Sequence, residues 1–299
     1  MIYGRAPDIV TNFNASVVSD NNRAGVTFFG SARHREPFFH FDDDGKEFSH
    51  TGKINLKSIG FRGFYRLNYS SKLTLEYHAI DEFRRGGNKF DRPPHEADIA
   101  EQTNHSIHSG GAKYDIYLND DRHALQVYTS AQRIGRDSYY GTGQDPDAYG
   151  NTKDLSLASG SQYTFRMHRL LFMPATLIGG AEYSHNAMRD EMVGYGRIID
   201  QKIDIYSVFA QNEWRSVKTN ILLGGRLDSH SLIDNPVFSP RISIRHAPVS
   251  WLNLRGSYAA GFRGPQAYDE DLHGADRDAG FLFGPTLPRT VYFGVKVSL

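Results

Sequence analysis

The last eleven residues of the chain alternate between apolar and mostly polar side chains. Counting back from Leu299, every second residue is apolar as far as Val291, while Ser298, Lys296 and Thr290 occupy positions in between. Because successive side chains of a β-strand point to opposite faces, the pattern predicts a strand with one apolar face. Roughly 9–11 tilted strand residues cross a hydrocarbon layer, so this strand is long enough to span a membrane. A soluble terminal strand is the alternative.

Similar alternating runs, rich in aromatic and β-branched residues, recur along the whole chain with little helical periodicity. Alternation is clearest in residues 251–263 and weakest in 153–167, where its phase blurs around Gly160. The runs predict thirteen strands, at residues 11–19, 23–35, 52–67, 72–84, 104–119, 123–136, 153–167, 176–187, 201–215, 218–230, 240–247, 251–263 and 289–299.

The connections between these strands alternate strictly between short and long. Six are tight, at residues 20–22, 68–71, 120–122, 169–174, 216–217 and 248–250, and the six between them are longer, at 36–50, 85–103, 137–152, 188–200, 231–239 and 264–288. In an up-and-down sheet, all tight turns then lie at one end, which is typical of outer-membrane barrels. We therefore predict an all-β fold: a partial antiparallel up-and-down transmembrane β-barrel of about 12–14 strands, forming a single domain over residues 1–299.

A membrane barrel places its polar side chains in the lumen and an apolar belt against lipid. The alternation assigns one acidic and five basic residues to the lumen, where pairing with one another across neighbouring strands is their simplest role. These residues are Glu213, Arg226, Arg241, Arg245, Arg255 and Arg263.

Composition narrows the choice of function. The chain has 34 basic and 34 acidic residues, so electrostatics does not favour nucleic acid as a partner. Mean hydropathy is −0.51, and Pro174, Gly179 and Gly180 interrupt the longest apolar stretch, so no helix is expected to span a bilayer. The absence of cysteine excludes a disulfide scaffold and a thiol nucleophile. The first ten residues lack the features of a secretory signal, which suggests a mature chain or a piece of a larger one.

Three sequence clusters are candidates for ligand or metal chemistry. Arg84 and Arg85 precede two glycines in a long connection that also contains His95, and such a turn can bind anions. Asp269 and Glu270 belong to an acidic run that suits a cation or ligand contact, or simply a solvated loop. The run at residues 42–45 resembles a calcium loop but lacks its full spacing.

No metal site, cofactor or enzymatic activity is predicted. His105 and His108 are three residues apart in a strand and therefore point to opposite faces, which argues against a joint metal site. The sequence contains no serine hydrolase elbow, phosphate-binding glycine loop, HExxH motif or dinucleotide fingerprint.

The second half of the chain carries a series of motifs in a fixed order. These are YSVFAQNEW from Tyr206, GRLD from Gly225, SPRIS from Ser239, LRGSYAAGFRGP from Leu254 and LPRTVYFGVK from Leu287. In this order and spacing they resemble the barrel of TonB-dependent outer-membrane receptors.

That resemblance implies a bacterial outer-membrane location and uptake of a scarce nutrient such as a ferric siderophore, haem or cobalamin. It also implies outer-membrane lipid, a small-molecule or metal-chelate ligand and TonB as partners. The ligand contacts expected from it are Arg84, Arg85, His95, Arg263, Asp269 and Glu270.

The chain departs from the family pattern in several ways. No plug domain or TonB-contacting segment is recognised, and about thirteen strands replace the roughly twenty-two of the family. The direct passage from residue 263 to the last strand suggests a truncated barrel with an internal deletion around residues 274–284. The odd strand number would become even if residues 1–10 contained another strand. A passive diffusion pore and a soluble β-rich binding module are the alternative functions.

Overall fold

A computed structural model describes residues 7–41, 47–262 and 289–297. The candidate sites at residues 42–45, at Arg263 and at Asp269 and Glu270 lie outside these ranges, as does the internal deletion predicted around residues 274–284. The described residues form fourteen strands: β1 (Asp8–Val18), β2 (Ala24–Arg35), β3 (Phe38–Phe41), β4 (Glu47–Asn68), β5 (Ser71–Gly87), β6 (Ile99–Leu118), β7 (His123–Thr142), β8 (Tyr149–Leu170), β9 (Met173–Met192), β10 (Arg197–Arg215), β11 (Thr219–His230), β12 (Val237–Val249), β13 (Leu252–Ala260) and β14 (Arg289–Val297).

All strands except β3 follow one another in a single antiparallel sheet, each paired with its neighbours in chain order. The thirteen predicted strands and the up-and-down topology are therefore confirmed. In the described part of the chain, β1 and β14 stand at the two ends of this path. Within the described ranges, strand β3 pairs only with β4, and it lies inside the predicted long connection 36–50. Alternation missed it because Phe38–Phe41 reads FFHF, four residues without a polar–apolar period.

Several strands extend beyond their predicted ends toward the long connections. Strand β6 begins at Ile99 rather than at 104, and β7 ends at Thr142 rather than at 136. The pairing of Ile99 with Thr142 shows that the ladder continues to the end of this hairpin. Hydrogen bonding between strand backbones does not need an apolar face. The strands therefore continue past the residues in which apolar and polar side chains alternate.

The two faces of the sheet differ in polarity, as predicted. Directly opposed residues of antiparallel strands share a face, so the register defines rows of side chains that cross the sheet. One row is mostly apolar, and the neighbouring row, on the other face, is polar. The first contains Leu73, Tyr114, Val127, Ser161, Ala181, Val208 and Leu227, and the second contains Tyr128, Gly160, Glu182, Ser207 and Asp228.

The apolar face has the dimensions and aromatic borders of a lipid-facing belt. Along β8 it runs from Leu155 to Phe165, and ten residue steps tilted by roughly 40° rise about 25 Å. Tyr206 and Val208 on this face are 61% and 54% exposed. Toward the tight turns Phe172 stacks on Trp214, with ring centroids 5.7 Å apart, and Tyr163 stacks on His123. No helix among the described residues is long and apolar enough to cross a membrane.

Candidate functional site

The polar face encloses a cavity of about 790 Å³ that spans β2 to β11. Register places the side chains of Gln132 on β7, Ser156 on β8 and Asn186 on β9 in its wall. These amides and hydroxyls donate and accept hydrogen bonds without carrying a charge. Arg62 and Glu76 border the cavity, with Arg62 Nε 3.9 Å from Glu76 Oε2. The cavity is therefore a polar, nearly neutral space of the size of a small-molecule site.

Arg226 on β11 organises a polar network in the wall below this cavity. Its guanidinium donates to Asp228 Oδ1 at 2.7 Å and to Glu182 Oε1 on β9 at 2.8 Å. Ser207 on β10 accepts from Arg226 at 2.7 Å and donates to Asp228 at 2.6 Å. Tyr128 on β7 donates to the other oxygen of Glu182. Sequence reasoning placed Arg226 in the lumen but missed its partners, although Glu182 and Asp228 alternate with apolar residues in predicted strands.

A second network lies closer to the long connections and is centred on the buried Asp190. Arg197 Nη2 on β10 lies 2.8 Å from Asp190 Oδ2, and Arg136 Nη2 on β7 lies 3.3 Å from Oδ1. Thr152 on β8 also donates to Asp190. Charge-assisted hydrogen bonds of this kind are stronger than neutral ones, so the two networks fix β7 to β11 in register.

The other charges predicted for the lumen face the polar side as expected. Arg241 lies opposite Ala259, and Arg245 lies opposite Arg255. Glu213 is paired with Arg215, two residues along its own strand, at 2.8 Å. No described carboxylate forms an ion pair with Arg241, Arg245 or Arg255. Arg226 does form ion pairs, with Glu182 across the sheet and with Asp228 on its own strand, but these two are not among the six residues predicted to pair with one another.

Three long connections pack together above the sheet. Ala97, Ala100, Tyr139 and Ala148 form a small buried cluster that joins the β5–β6 and β7–β8 connections. Gly143 N donates to Asp98 O at 2.7 Å. Tyr195 Oη, from the β9–β10 connection, donates to Tyr140 O at 2.7 Å and adds the third loop. The rim of the sheet is thus built from interlocked loops rather than from independent ones.

Arg85, near the end of β5, holds the β5–β6 connection in place through hydrogen bonds to its backbone. Its guanidinium donates to Arg92 O at 2.6 Å and to Lys89 O at 3.0 Å, and it lies 5.5 Å from the centre of the Phe90 ring. The residue is 5% exposed. Gly87 has a φ of +105° and lies close to Ile99 O, so only glycine suits this position.

The residues predicted to bind ligand are distributed over several places. Arg84 and Arg85 are consecutive in β5, so they point to opposite faces and do not form a shared turn. Arg84 is 60% exposed on the lumen side and pairs with Glu82. His95 Nδ1 lies 2.8 Å from Tyr149 Oη, within the interlocked loops. A ligand role for these residues stays a prediction, as it does for Arg263, Asp269 and Glu270 outside the described ranges.

Asp98, in the β5–β6 connection at the same rim, has a lowered pKa. Lys89 Nζ donates to Asp98 Oδ1 at 2.7 Å, and this hydrogen bond holds the pKa of Asp98 below its ordinary value. Asn88 donates to the other carboxylate oxygen at 3.1 Å. Among the described residues, no group of three or more His, Asp or Glu side chains is arranged to hold a metal ion.

An up-and-down antiparallel sheet with an apolar belt outside, a polar wall inside and long connections at one end defines a transmembrane β-barrel protein. Comparison with known protein families identifies the family of β-barrel proteins. The family model described as "TonB dependent receptor-like, beta-barrel" matches residues 8–290. The chain therefore belongs to this family of TonB-dependent receptors.

Solved structures with the same fold include several outer-membrane receptors. The siderophore receptor PirA from Acinetobacter baumannii is 14% identical with a TM-score of 0.72, and the match covers 86% of this chain and 40% of that one. The outer membrane transporter YddB from Escherichia coli is 12% identical with a TM-score of 0.66, covering 87% and 38%. The chain thus spans about 40% of the length of such structures. No curated protein matches the sequence.

Proposed function

We propose that this chain forms part of the outer-membrane barrel of a TonB-dependent receptor that takes up a ferric siderophore. The observation that carries the proposal is the combination of an apolar outward face with a polar cavity of about 790 Å³ beneath interlocked loops. Proteins with the same fold include siderophore receptors, one of them solved in complex with enterobactin and another bound to ferripyoverdine. TonB is the energy-coupling partner in this proposal, and the bacterial outer membrane is the location.

The geometry suggests how a chelate would be bound. The exposed Arg84 stands on the lumen side at the rim, where its Nε pairs with Glu82 and its terminal guanidinium nitrogens face the lumen and can bind an anionic chelate. Deeper in the wall, Gln132, Ser156 and Asn186 offer neutral hydrogen bonds that let a ligand pass without trapping it. His95 and Tyr149 add an aromatic contact between two loops.

Equilibrium binding of radioactive iron chelates to the purified chain in detergent tests this proposal. Ferric enterobactin and ferripyoverdine are the probes, each with an excess of the unlabelled chelate as competitor. We expect saturable binding of one of them, weakened about tenfold by Arg84→Ala and unchanged by Lys218→Ala in the opposite, tight-turn rim. Non-saturable retention of every chelate would contradict siderophore binding.

A passive diffusion pore is the second candidate, because the cavity wall is polar and nearly neutral. Planar bilayer recordings separate the two functions. Steady open current without chelate dependence favours the pore, while silence together with saturable chelate binding favours the receptor.

A further inference from the structure

A smaller cavity lies on the lumen face toward the tight-turn rim, apart from the cavity described above. It has a volume of about 390 Å³ and is bounded by residues of β10 to β13. Register places Ser243 on β12 directly opposite Ser257 on β13 and next to Leu222 on β11. These three uncharged side chains lie at the centre of the cavity.

Three arginines surround this centre. Arg245 on β12 and Arg255 on β13 are directly opposed in the register, and Arg241 lies four residues from Arg245 on the same strand. Directly opposed residues of antiparallel strands have Cβ atoms only about 5 Å apart, and like charges in this arrangement destabilise a sheet. The two guanidinium groups therefore favour a negative charge between them. We call the cavity with Arg241, Arg245 and Arg255 the arginine pocket.

The carboxylates of the surrounding lumen wall are engaged by other arginines. From β9 to β13, the described lumen face carries six arginines and four acidic side chains. Each of these carboxylates has an arginine partner outside the arginine pocket: Glu182 and Asp228 pair with Arg226, Asp190 with Arg197, and Glu213 with Arg215. The outward face of β11 to β13 contains no Asp or Glu among its described residues, and neither does the sequence of β14. Unpaired positive charge is thus concentrated in the arginine pocket.

Neutral groups orient these arginines without removing their charge. In the amide orientation that satisfies both of its polar atoms, Asn253 accepts from Arg245 Nε at 2.9 Å and from Arg245 Nη2 at 2.8 Å. Arg255 Nε lies 3.4 Å from the same amide group. The hydroxyls of Ser243 and Ser257 can donate further hydrogen bonds. Such a set of donors suits an oxyanion, because guanidinium groups bind carboxylate and phosphate through paired hydrogen bonds.

We propose that the arginine pocket is a binding site for a small, multiply charged oxyanion in the lumen. The ligand is a phosphate or the carboxylates of a small organic acid, since both present several oxygens to guanidinium groups. A volume of about 390 Å³ is in the range of small-molecule sites. The site is separate from the chelate contact proposed for Arg84 at the long-connection rim, and it does not depend on siderophore uptake.

Isothermal titration calorimetry of the chain in detergent, at constant ionic strength, tests this site. Inorganic phosphate and citrate are the probes, and chloride is the monovalent control. We expect saturable binding of one phosphate or citrate per chain and no binding of chloride, and the tighter probe identifies the preferred oxyanion. The double variant R245Q/R255Q should weaken this binding about tenfold. Arg166→Gln, which removes a lumen-facing arginine from β8, should leave it unchanged.

A second variant keeps all three arginines. Ser257→Asp places a carboxylate diagonally from Arg241 and Arg245 and two residues from Arg255. It should raise the urea midpoint of unfolding and abolish phosphate and citrate binding, because an internal counter-charge replaces the bound anion. Binding that persists in Arg84→Ala distinguishes this site from the chelate contact at the other rim. Absence of saturable binding, equal binding by R245Q/R255Q, or displacement by chloride at equal ionic strength would overturn the proposal.

Discussion

Arg226 on β11 donates a 2.8 Å hydrogen bond to Glu182 on β9, across the intervening strand β10. This contact joins strands that are not neighbours in the sheet. Its partners Ser207, Asp228 and Tyr128 extend it to β7 and β10. The lumen wall is therefore held by side chains in addition to the backbone ladders.

Removal of Arg226 should destabilise the sheet, because Glu182 and Asp228 lose their counter-charge. Arg226→Met is expected to cost about 2 kcal/mol of unfolding free energy, less than a fully buried pair because the Arg226 side chain is 37% exposed. Urea titration in detergent, followed by tryptophan fluorescence, measures the change. Arg241→Met is the matched control, since Arg241 shares the face but has no ion pair with any residue that the structure describes. An equal loss in both variants would show that the network contributes nothing specific.

Arg85 should stabilise a loop rather than touch ligand directly. Arg85→Ala removes the donors to Arg92 O and Lys89 O, so the β5–β6 connection should become accessible to protease. Limited trypsin digestion with cleavage sites read by mass spectrometry measures the effect at Lys89, which is followed by Phe90. Arg84→Ala, one residue earlier and facing the lumen, should leave the cleavage rate unchanged. Identical rates for Arg85→Ala and the unmodified chain would contradict this role.

The order of the same connection should depend on pH through Asp98. Its folded-state pKa is lowered by Lys89, so the stabilisation is present above the ordinary carboxyl value of about 3.9. It is lost as pH falls through the lowered folded value. Hydrogen exchange of residues 88–98 measured at pH 7 and below pH 4, corrected for intrinsic rates, should show extra opening at acid pH. Asp98→Asn should remove this difference, and a difference that survives in the variant would exclude Asp98 as its source.

A charge placed on the outward face should cost far more than the same charge in the lumen. Val127 and Gln132 lie on the same strand, β7, but on opposite faces. Val127→Lys should cost about 2 kcal/mol or more in lipid vesicles, and Gln132→Lys should be nearly neutral. Urea-dependent unfolding from vesicles gives both values. Equal costs would mean that the two faces meet the same environment.

The sequence was sufficient to predict the strands of the main sheet because one physical requirement, an apolar face toward lipid, repeats in each of them. Even β8, whose alternation blurs around Gly160, is paired along its length with β7 and β9. There, neighbouring strands fix the face that the local pattern leaves ambiguous. In the same way, the register that joins Glu182 to Arg226 depends on three strands together and cannot be read from any one of them.

The positions of the loops along the chain were predictable, but their lengths and structures were not. The buried cluster of Ala97, Ala100, Tyr139 and Ala148 joins residues from separate connections, and none of them belongs to a periodic run. The assignment of Arg84 and Arg85 to one anion-binding turn failed for a related reason: β5 continues to Gly87, so the strand separates the two side chains. Contacts between residues far apart in the sequence determine which loop residues are buried and where the strands end.

The orientation of the two faces can be measured most directly with cysteine labels, because the chain contains no cysteine. Val208→Cys and Gln211→Cys on β10 place single thiols on the outward and lumen faces. In vesicles, a charged water-soluble maleimide should react with Gln211→Cys and not with Val208→Cys, and a fluorophore on Val208→Cys should be quenched by brominated lipid. Reaction at Val208→Cys together with lipid quenching at Gln211→Cys would contradict the barrel orientation on which the account depends.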